Sequence, residues 1–233
     1  MSRKDVIEKL RGQVIISCQA YEDTPLYGPD NMKTMAASVI MGGAKVLRAC
    51  WPQDIKAIKS LNADITIVGI FKHIIEGKVE GTYPIITPNF EDARSVIEAG
   101  ADIIALDCTI FKERDENALK ALLQQIRDAY PDVPIMADLG RYSDAKFCKE
   151  TGLVDIISTT LSDYYTHSGK VDTDLILQIK ELGLPVNAEG KIWDNNDLKQ
   201  VLDCKPYCCT IGSAVTRPHL ITKHFLDFAK NYE

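Results

Sequence analysis

Lys72 closes the apolar run IVGIF and Glu189 closes PVNA, so two hydrophobic segments each deliver a titratable side chain where the apolar residues stop. The run before Lys72 should bury its stem, and desolvating an ammonium favours the neutral amine that a general base needs. Glu189 is followed by Gly190, whose backbone freedom suits close approach to a ligand. An amine and a carboxyl that trade a proton suit acid–base catalysis; the same two groups also read as a structural ion pair. Arg48 follows a short VL run and offers paired donors to a carbonyl or enolate oxygen, or a charge partner to Asp107 or Asp138. Gln19, after ISC, presents an amide to a hydroxyl or carbonyl. Asp138 ends IMA and Asp107 ends IIAL, yet His73, His167, His219 and His224 fall in loops or in the last helical segment, so no metal site is expected. Thr159 and Thr160 end another run, and residues 162–165 (SDYY) follow with more hydroxyls, Tyr164 among them. Trp51 and Trp193 stand just beyond two of these ends and read either as pocket walls or as core.

A second kind of site lies in TIGSAVTRP, residues 210–218. Gly212 and Ser213 expose amides directly after an apolar strand, and Arg217 with Pro218 opens a helix. Free amides at a helix start, a glycine and a cation make a phosphate cradle. Gly190 and Lys191, from the segment ending in Glu189, are expected beside it.

These groups need a scaffold that brings strand ends together. Eight β-branched segments recur, at 14–17, 45–47, 65–71, 103–106, 135–137, 155–158, 185–188 and 208–211, most of them continuously apolar as strands covered on both faces must be. Helix-period segments alternate with them at 32–41, 52–61, 90–99, 116–129, 143–151, 174–182, 195–202 and 218–229. Asp30, Asn89, Asp115, Ser143, Thr173 and Asp194 sit where N-caps belong, and Gly42, Gly100, Gly152 and Gly183 where helices stop. Strand then helix, eight times, predicts an α/β fold of the (β/α)8 TIM-barrel class, one domain over residues 1–233 with a short N-terminal helix in residues 1–12. Residues 83–88 (YPIITP) are expected as a short strand or lid in the third unit. The strand ends would then ring one mouth, where such barrels keep their sites.

Composition narrows the partners. A net charge of -6 and a pI near 5.3 argue against nucleic acid and acidic membranes, leaving small molecules. Seven cysteines, an odd number with no C-x-x-C pair, read as reduced core thiols and a cytoplasmic location. No apolar run approaches the roughly 20 residues of a membrane span. The ring of side chains favours proton transfer next to a carbonyl, as in isomerisation, epimerisation or aldol chemistry on a sugar phosphate; a Schiff base on Lys72 would instead make a class I aldolase or lyase.

SCQA with PLYGP (17–20, 25–29), LRA (47–49), DIKAIK (54–59), GIFK (69–72), AGADIIALD (99–107), MAD (136–138), STTLS (158–162), AEG (188–190) and GSAVTRP (212–218) together resemble the N-acetylmannosamine-6-phosphate 2-epimerase family, over nearly the whole chain. The resemblance implies a TIM barrel interconverting the 6-phosphates of N-acetylmannosamine and N-acetylglucosamine in sialic-acid breakdown, a homodimer, and no cofactor. It implies Lys72 as base and acid with Glu189 assisting, Gln19, Arg48 and Asp138 around the open-chain sugar, and Arg217 at the phosphate; the strand ends themselves add Thr160 and Tyr164 to the sugar's expected contacts and Gly190, Lys191, Gly212 and Ser213 to the phosphate's. Cys50, Asp163 and Lys191 depart from the family pattern, where asparagine, glycine and arginine are usual; the segment around Gly140 and the 109–115 loop are atypical too. All three substitutions are expected at the barrel mouth, which leaves another amino-sugar phosphate, or a non-catalytic sugar-phosphate sensor, as alternatives.

Overall fold

A computed structural model describes residues 2–111 and 114–232; Met1, Lys112, Glu113 and Glu233, and with them the middle of the 109–115 loop, lie outside the described residues. Eight strands, β1 (Val14–Cys18), β2 (Val46–Cys50), β3 (Thr66–Ile70), β4 (Ile103–Asp107), β5 (Ile135–Asp138), β6 (Ile156–Ser158), β7 (Val186–Glu189) and β8 (Cys208–Ile211), close a barrel in sequence order. Every pairing is parallel, and β8 returns to β1 through Val14 opposite Cys209. Each strand is followed by a helix on the outside: α2 (Pro29–Met41), α3 (Pro52–Lys59), α4 (Phe90–Glu98), α5 (Glu116–Ala129), α6 (Tyr142–Thr151), α8 (Thr173–Lys180), α9 (Asn195–Asp203) and α11 (Pro218–Ala229). Two single-turn helices, α7 (Asp163–Thr166) and α10 (Ser213–Thr216), interrupt the last loops, and α1 (Arg3–Glu8) precedes the barrel.

The period of two along each strand sorts side chains into two layers. Leu47, Ala49, Ile67, Ile104, Leu106, Ile135, Ala137, Ile157, Val186, Ala188 and Cys209 face the helices. Ile15, Val46, Val68, Ile70, Ile103, Ala105, Met136, Ile156 and Cys208 fill the barrel, and Val6 and Leu10 of the N-terminal segment plug its lower end. The same parity, continued upward, turns Ser17, Gln19, Arg48, Asp107, Asp138, Ser158, Asn187, Glu189 and Thr210 toward the barrel axis.

Helix starts differ from expectation at three places. Asn89, Asp115 and Asp194 are N-caps that accept from backbone amides, but Asp30, Ser143 and Thr173 lie inside their helices. Pro29, whose missing N–H costs nothing at a first helical position, starts α2 after Gly28; Asp172 caps α8, accepting from Leu175 N at 3.0 Å. Strand β2 also runs on past Leu47 to Cys50, so Arg48 lies within the strand; its charge is paired in the interior, which removes the penalty that would have ended the strand there. Residues 83–88 form one antiparallel bridge, Lys72 to Ile86, stitched by Ile85 N to Asp107 Oδ2 (3.2 Å) and Thr87 Oγ1 to Ala105 O (2.8 Å). All seven cysteines are buried and free of disulfides. Among the described residues no helix is long and apolar enough to cross a membrane.

Candidate active site

The C-terminal mouth holds a cavity of about 360 Å³ lined by Gln19, Lys72, Thr160, Tyr164, Glu189, Gly190, Lys191, Gly212, Ser213 and Arg217, together with Ser17, Tyr21 and Glu80. Its floor on the β5 to β8 side is a continuous hydrogen-bonded belt. Thr210 Oγ1 donates to Asn187 Oδ1 (2.9 Å), Asn187 Nδ2 to Ser158 Oγ (2.8 Å), and Ser158 Oγ meets Thr160 Oγ1 (2.8 Å). Thr160 Oγ1 lies 2.8 Å from Asp138 Oδ1 and 3.1 Å from Glu189 Oε2. Below them Arg48, 1% exposed, donates from Nη1 and Nη2 to the two oxygens of Asp138 at 3.1 and 2.6 Å, and its Nη1 lies 3.4 Å from Glu189 Oε2. Burial would weaken Arg48's charge, but Asp138 and Glu189 outweigh it and hold the guanidinium protonated.

Two acids on one guanidinium leave an excess of negative charge, and Glu189 carries the consequence. Burial and the neighbouring Asp138 raise its pKa, against the opposing pull of Arg48, Thr160 and Lys72. Its backbone is fixed by Thr159, whose Oγ1 donates to Glu189 O (2.8 Å) and accepts from Glu189 N (3.0 Å). Gly190, at φ 114°, turns the chain immediately afterwards, where a side chain would be strained.

The β1, β3 and β8 side is built differently. Lys72 Nζ donates to Tyr21 Oη at 2.7 Å, and the Arg217 guanidinium lies 4.5 Å from the centroid of the Tyr21 ring. Gln19 Nε2 donates to Ser17 Oγ at 2.6 Å, while Gln19 Oε1 is buried with no hydrogen-bond partner among the described residues. An orphaned acceptor beside the cavity is a place for a ligand hydroxyl. Gly212 turns β8 into α10, and Thr216 Oγ1 donates to Ser17 O (2.6 Å), pinning that turn against β1. Over the cavity, Tyr164 donates its hydroxyl to Glu80 from the β3–α4 loop; burial and Glu80 push the phenol's pKa up.

The protein-family model described as "Putative N-acetylmannosamine-6-phosphate epimerase" matches residues 32–231. The chain belongs to this family. It is 38% identical over 230 residues to a relative from Caldanaerobacter subterraneus subsp. tengcongensis, spanning 97% of this chain and 94% of that one, and 37% identical over 231 residues to one from Listeria monocytogenes, spanning 97% of each; both are named "Putative N-acetylmannosamine-6-phosphate 2-epimerase". The solved N-acetylmannosamine-6-phosphate 2-epimerase from Clostridium perfringens superposes with a TM-score of 0.83 at 32% identity, covering 95% of both chains. A structure described as "a putative deoxyribose-phosphate aldolase from Coccidioides immitis", at TM-score 0.66 and 16% identity, shares the barrel alone.

Within this N-acetylmannosamine-6-phosphate epimerase family fold, most of the side chains singled out from the sequence line one cavity, but Arg48 and Asp138 do not: they lie under its floor and bind each other. Lys72 pairs with Tyr21 and Glu189 with Arg48, rather than Lys72 with Glu189. Asp107 pairs with Arg114 at 3.3 Å and anchors the 83–88 segment. Of the three departures, Cys50 is fully buried in the barrel, its thiol pushed up to about 12 by burial, so it does not reach the mouth. Asp163 and Lys191 do, and they bind each other at 2.9 Å. Trp51 donates Nε1 to Lys72 O at 3.2 Å and meets Tyr21 edge-on; Trp193 stacks on His224 at 5.3 Å. Tyr21 and Glu80 escaped the sequence reading. For Tyr21 a signal exists: it continues the inward parity of Ile15, Ser17 and Gln19 past the strand end. Glu80 sits in an exposed loop with no such pattern.

Proposed function

We propose that the chain is an N-acetylmannosamine-6-phosphate 2-epimerase in which Lys72 and Glu189 move the C2 proton of the open-chain sugar. The observation that carries this reading is placement: Lys72 follows β3 and Glu189 ends β7, four strands apart in a barrel of eight, and both line the same cavity. A sugar held between them offers one face of C2 to each. The C2–H bond is acidified by the adjacent C1 aldehyde; Lys72 takes the proton, the bonding pair passes into the C1–C2 enolate, and a proton delivered from Glu189 to the other face inverts C2. The raised pKa of Glu189 suits a carboxyl that arrives protonated. Enolate charge needs a nearby donor, and Gln19 Nε2, which gives one of its two N–H groups to Ser17, lies in the cavity wall. Arg217, Lys191 and the Gly212–Ser213 turn take the phosphate, while Arg48 and Asp138 hold the floor that orients Glu189.

We read the protein as a homodimer in the cytoplasm. Phe225 and Leu226 on α11 are 66% and 58% exposed and that helix buries no residue, an apolar surface that a second copy would cover. Seven free thiols fit a reducing compartment.

The test is incubation with N-acetylmannosamine 6-phosphate in deuterated water, followed by proton NMR. Deuterium entering C2 as N-acetylglucosamine 6-phosphate appears supports the reading. Covalent trapping of substrate by borohydride, without C2 exchange, would instead make Lys72 a Schiff-base residue and overturn it.

A further inference from the structure

Tyr21 stands between the proposed base and the proposed phosphate cation and contacts both. Its Oη accepts from Lys72 Nζ at 2.7 Å, the Arg217 guanidinium carbon sits 4.5 Å from its ring centroid, and Lys72 Nζ lies 5.3 Å from the same centroid. The indole of Trp51 closes the far side edge-on at 6.1 Å and itself donates to the Lys72 carbonyl, so the phenol and the lysine backbone are braced by one side chain. We propose that Tyr21 is a positioning residue with two parts: a hydroxyl that holds Lys72 in both of its protonation states and also faces Arg217, and a ring that holds the Arg217 guanidinium for the phosphate.

The inference rests on the epimerase reading, and the chemistry of a phenol is what carries it. An ammonium must donate to its partner, and a neutral amine gains most from a partner that donates to it. A carboxylate serves only the first state; a phenol serves both, because O–H can rotate from acceptor to donor. Lys72 takes a proton and gives it up in each cycle, so Tyr21 keeps the amine aimed through both halves. The phenol is also suited to the donor half. Burial pushes its pKa up, but Lys72 and Arg217 outweigh burial and leave it below the usual tyrosine range. The charged and titratable groups that share its cavity are Lys72 just after β3, Arg217 just before α11, Tyr164 on α7, Glu80 in the β3–α4 loop, and Glu189 with Lys191 at the end of β7. The ring's part is ordinary cation–π support, which fixes a long side chain that would otherwise sample many rotamers.

Two variants separate the parts. Tyr21→Phe keeps the ring and removes the hydroxyl; a charge-assisted hydrogen bond lost from a catalytic group corresponds to roughly a 10- to 100-fold fall in kcat, with KM for the sugar phosphate within about twofold. Tyr21→Leu removes both, and should add a rise in KM of about fivefold and the same weakening of inorganic-phosphate binding by calorimetry. Side-chain order at the ¹³Cε of Lys72, measured by NMR without substrate, should be high in the wild type and averaged in Tyr21→Phe. Wild-type kcat together with unchanged Lys72 order in Tyr21→Phe overturns the hydroxyl's part; equal phosphate affinity in Tyr21→Leu and Tyr21→Phe overturns the ring's. Failure of the epimerase reading shows separately, as a wild-type protein that exchanges no C2 proton, and the NMR and phosphate measurements still decide the role of Tyr21.

Discussion

The two walls of the cavity solve the burial of charge in opposite ways. Around β5 to β7, Asp138, Thr160, Asn187 and Glu189 bond to one another and to Arg48, which reaches across from β2, so that apart from Arg48 Nε the geometry is set before any ligand arrives. On the β1, β3 and β8 side Lys72 and Arg217 rest on one phenol, and Gln19 Oε1 has no hydrogen-bond partner among the described residues. A densely bonded network resists rearrangement, whereas under-satisfied groups gain when a ligand completes them. The first wall is therefore built to orient, and the second to receive.

Mutations should break the two walls differently. Lys72→Ala removes the base from the receiving wall: C2 exchange should fall by about 10²- to 10⁴-fold, while the melting temperature stays near wild type. Arg48→Ala strikes the orienting wall and strands two buried carboxylates, so thermal or denaturant unfolding should show a loss of about 3–5 kcal/mol, with activity lost alongside. If Arg48→Ala were stable and Lys72→Ala unfolded, the contrast would collapse. Arg217→Ala belongs to the receiving wall and should raise KM by roughly 10- to 100-fold with little change in kcat or stability, since Arg217 is only half-buried, in the joint between α10 and α11.

Most of the scaffold was legible because strands covered on both faces cannot hide their composition: the eight apolar runs stand within a few residues of β1 to β8. What could not be read was which polar residue would be consumed by another. Arg48 and Asp138 look identical to Gln19 and Lys72 in sequence, each a polar residue at an apolar run, and only the Ser17–Arg48 and Asp138–Ser158 registers decide that Arg48 meets Asp138 across the barrel. Likewise Ser143 and Thr173 are good cap residues by type, displaced because Asp172 and the Arg141 turn come first in the chain. Pairing is a property of the closed barrel, and a single strand does not carry it.

Asp54 contrasts with Asp138: it is a carboxyl at 1% exposure whose two oxygens have no hydrogen-bond partner among the described residues. Asp138 is buried against a guanidinium; Asp54 has no such partner among the described residues, and burial pushes its pKa from the usual 3.8 up to about 6. The folded chain thus holds this proton more tightly than the unfolded one. Its contribution to stability is complete below about pH 4 and is lost as the pH rises through about 6. Asp54→Asn should flatten the fall in stability between those values by on the order of 2 kcal/mol, as measured by denaturant midpoints across pH. An unchanged slope would mean that a charged Asp54 is satisfied after all.

The smallest effect concerns Asp163 and Lys191, two positions expected from the sequence to depart from the family pattern, which bind each other at 2.9 Å. With the Asp163 and Lys191 side chains 29% and 38% exposed, such a pair contributes at most about 1 kcal/mol to stability. Its meaning is competitive: Lys191 lines the cavity beside Arg217, and a phosphate there must draw it away from Asp163. Lys191→Ala should therefore raise KM by about two- to threefold, and Asp163→Ala should lower it by a similar factor because the cation is released to the ligand. The double variant should match Lys191→Ala alone, since Asp163 acts only through Lys191. If removing Asp163 weakened phosphate binding instead, the pair would belong to the orienting wall, holding Lys191 in place for the phosphate rather than away from it.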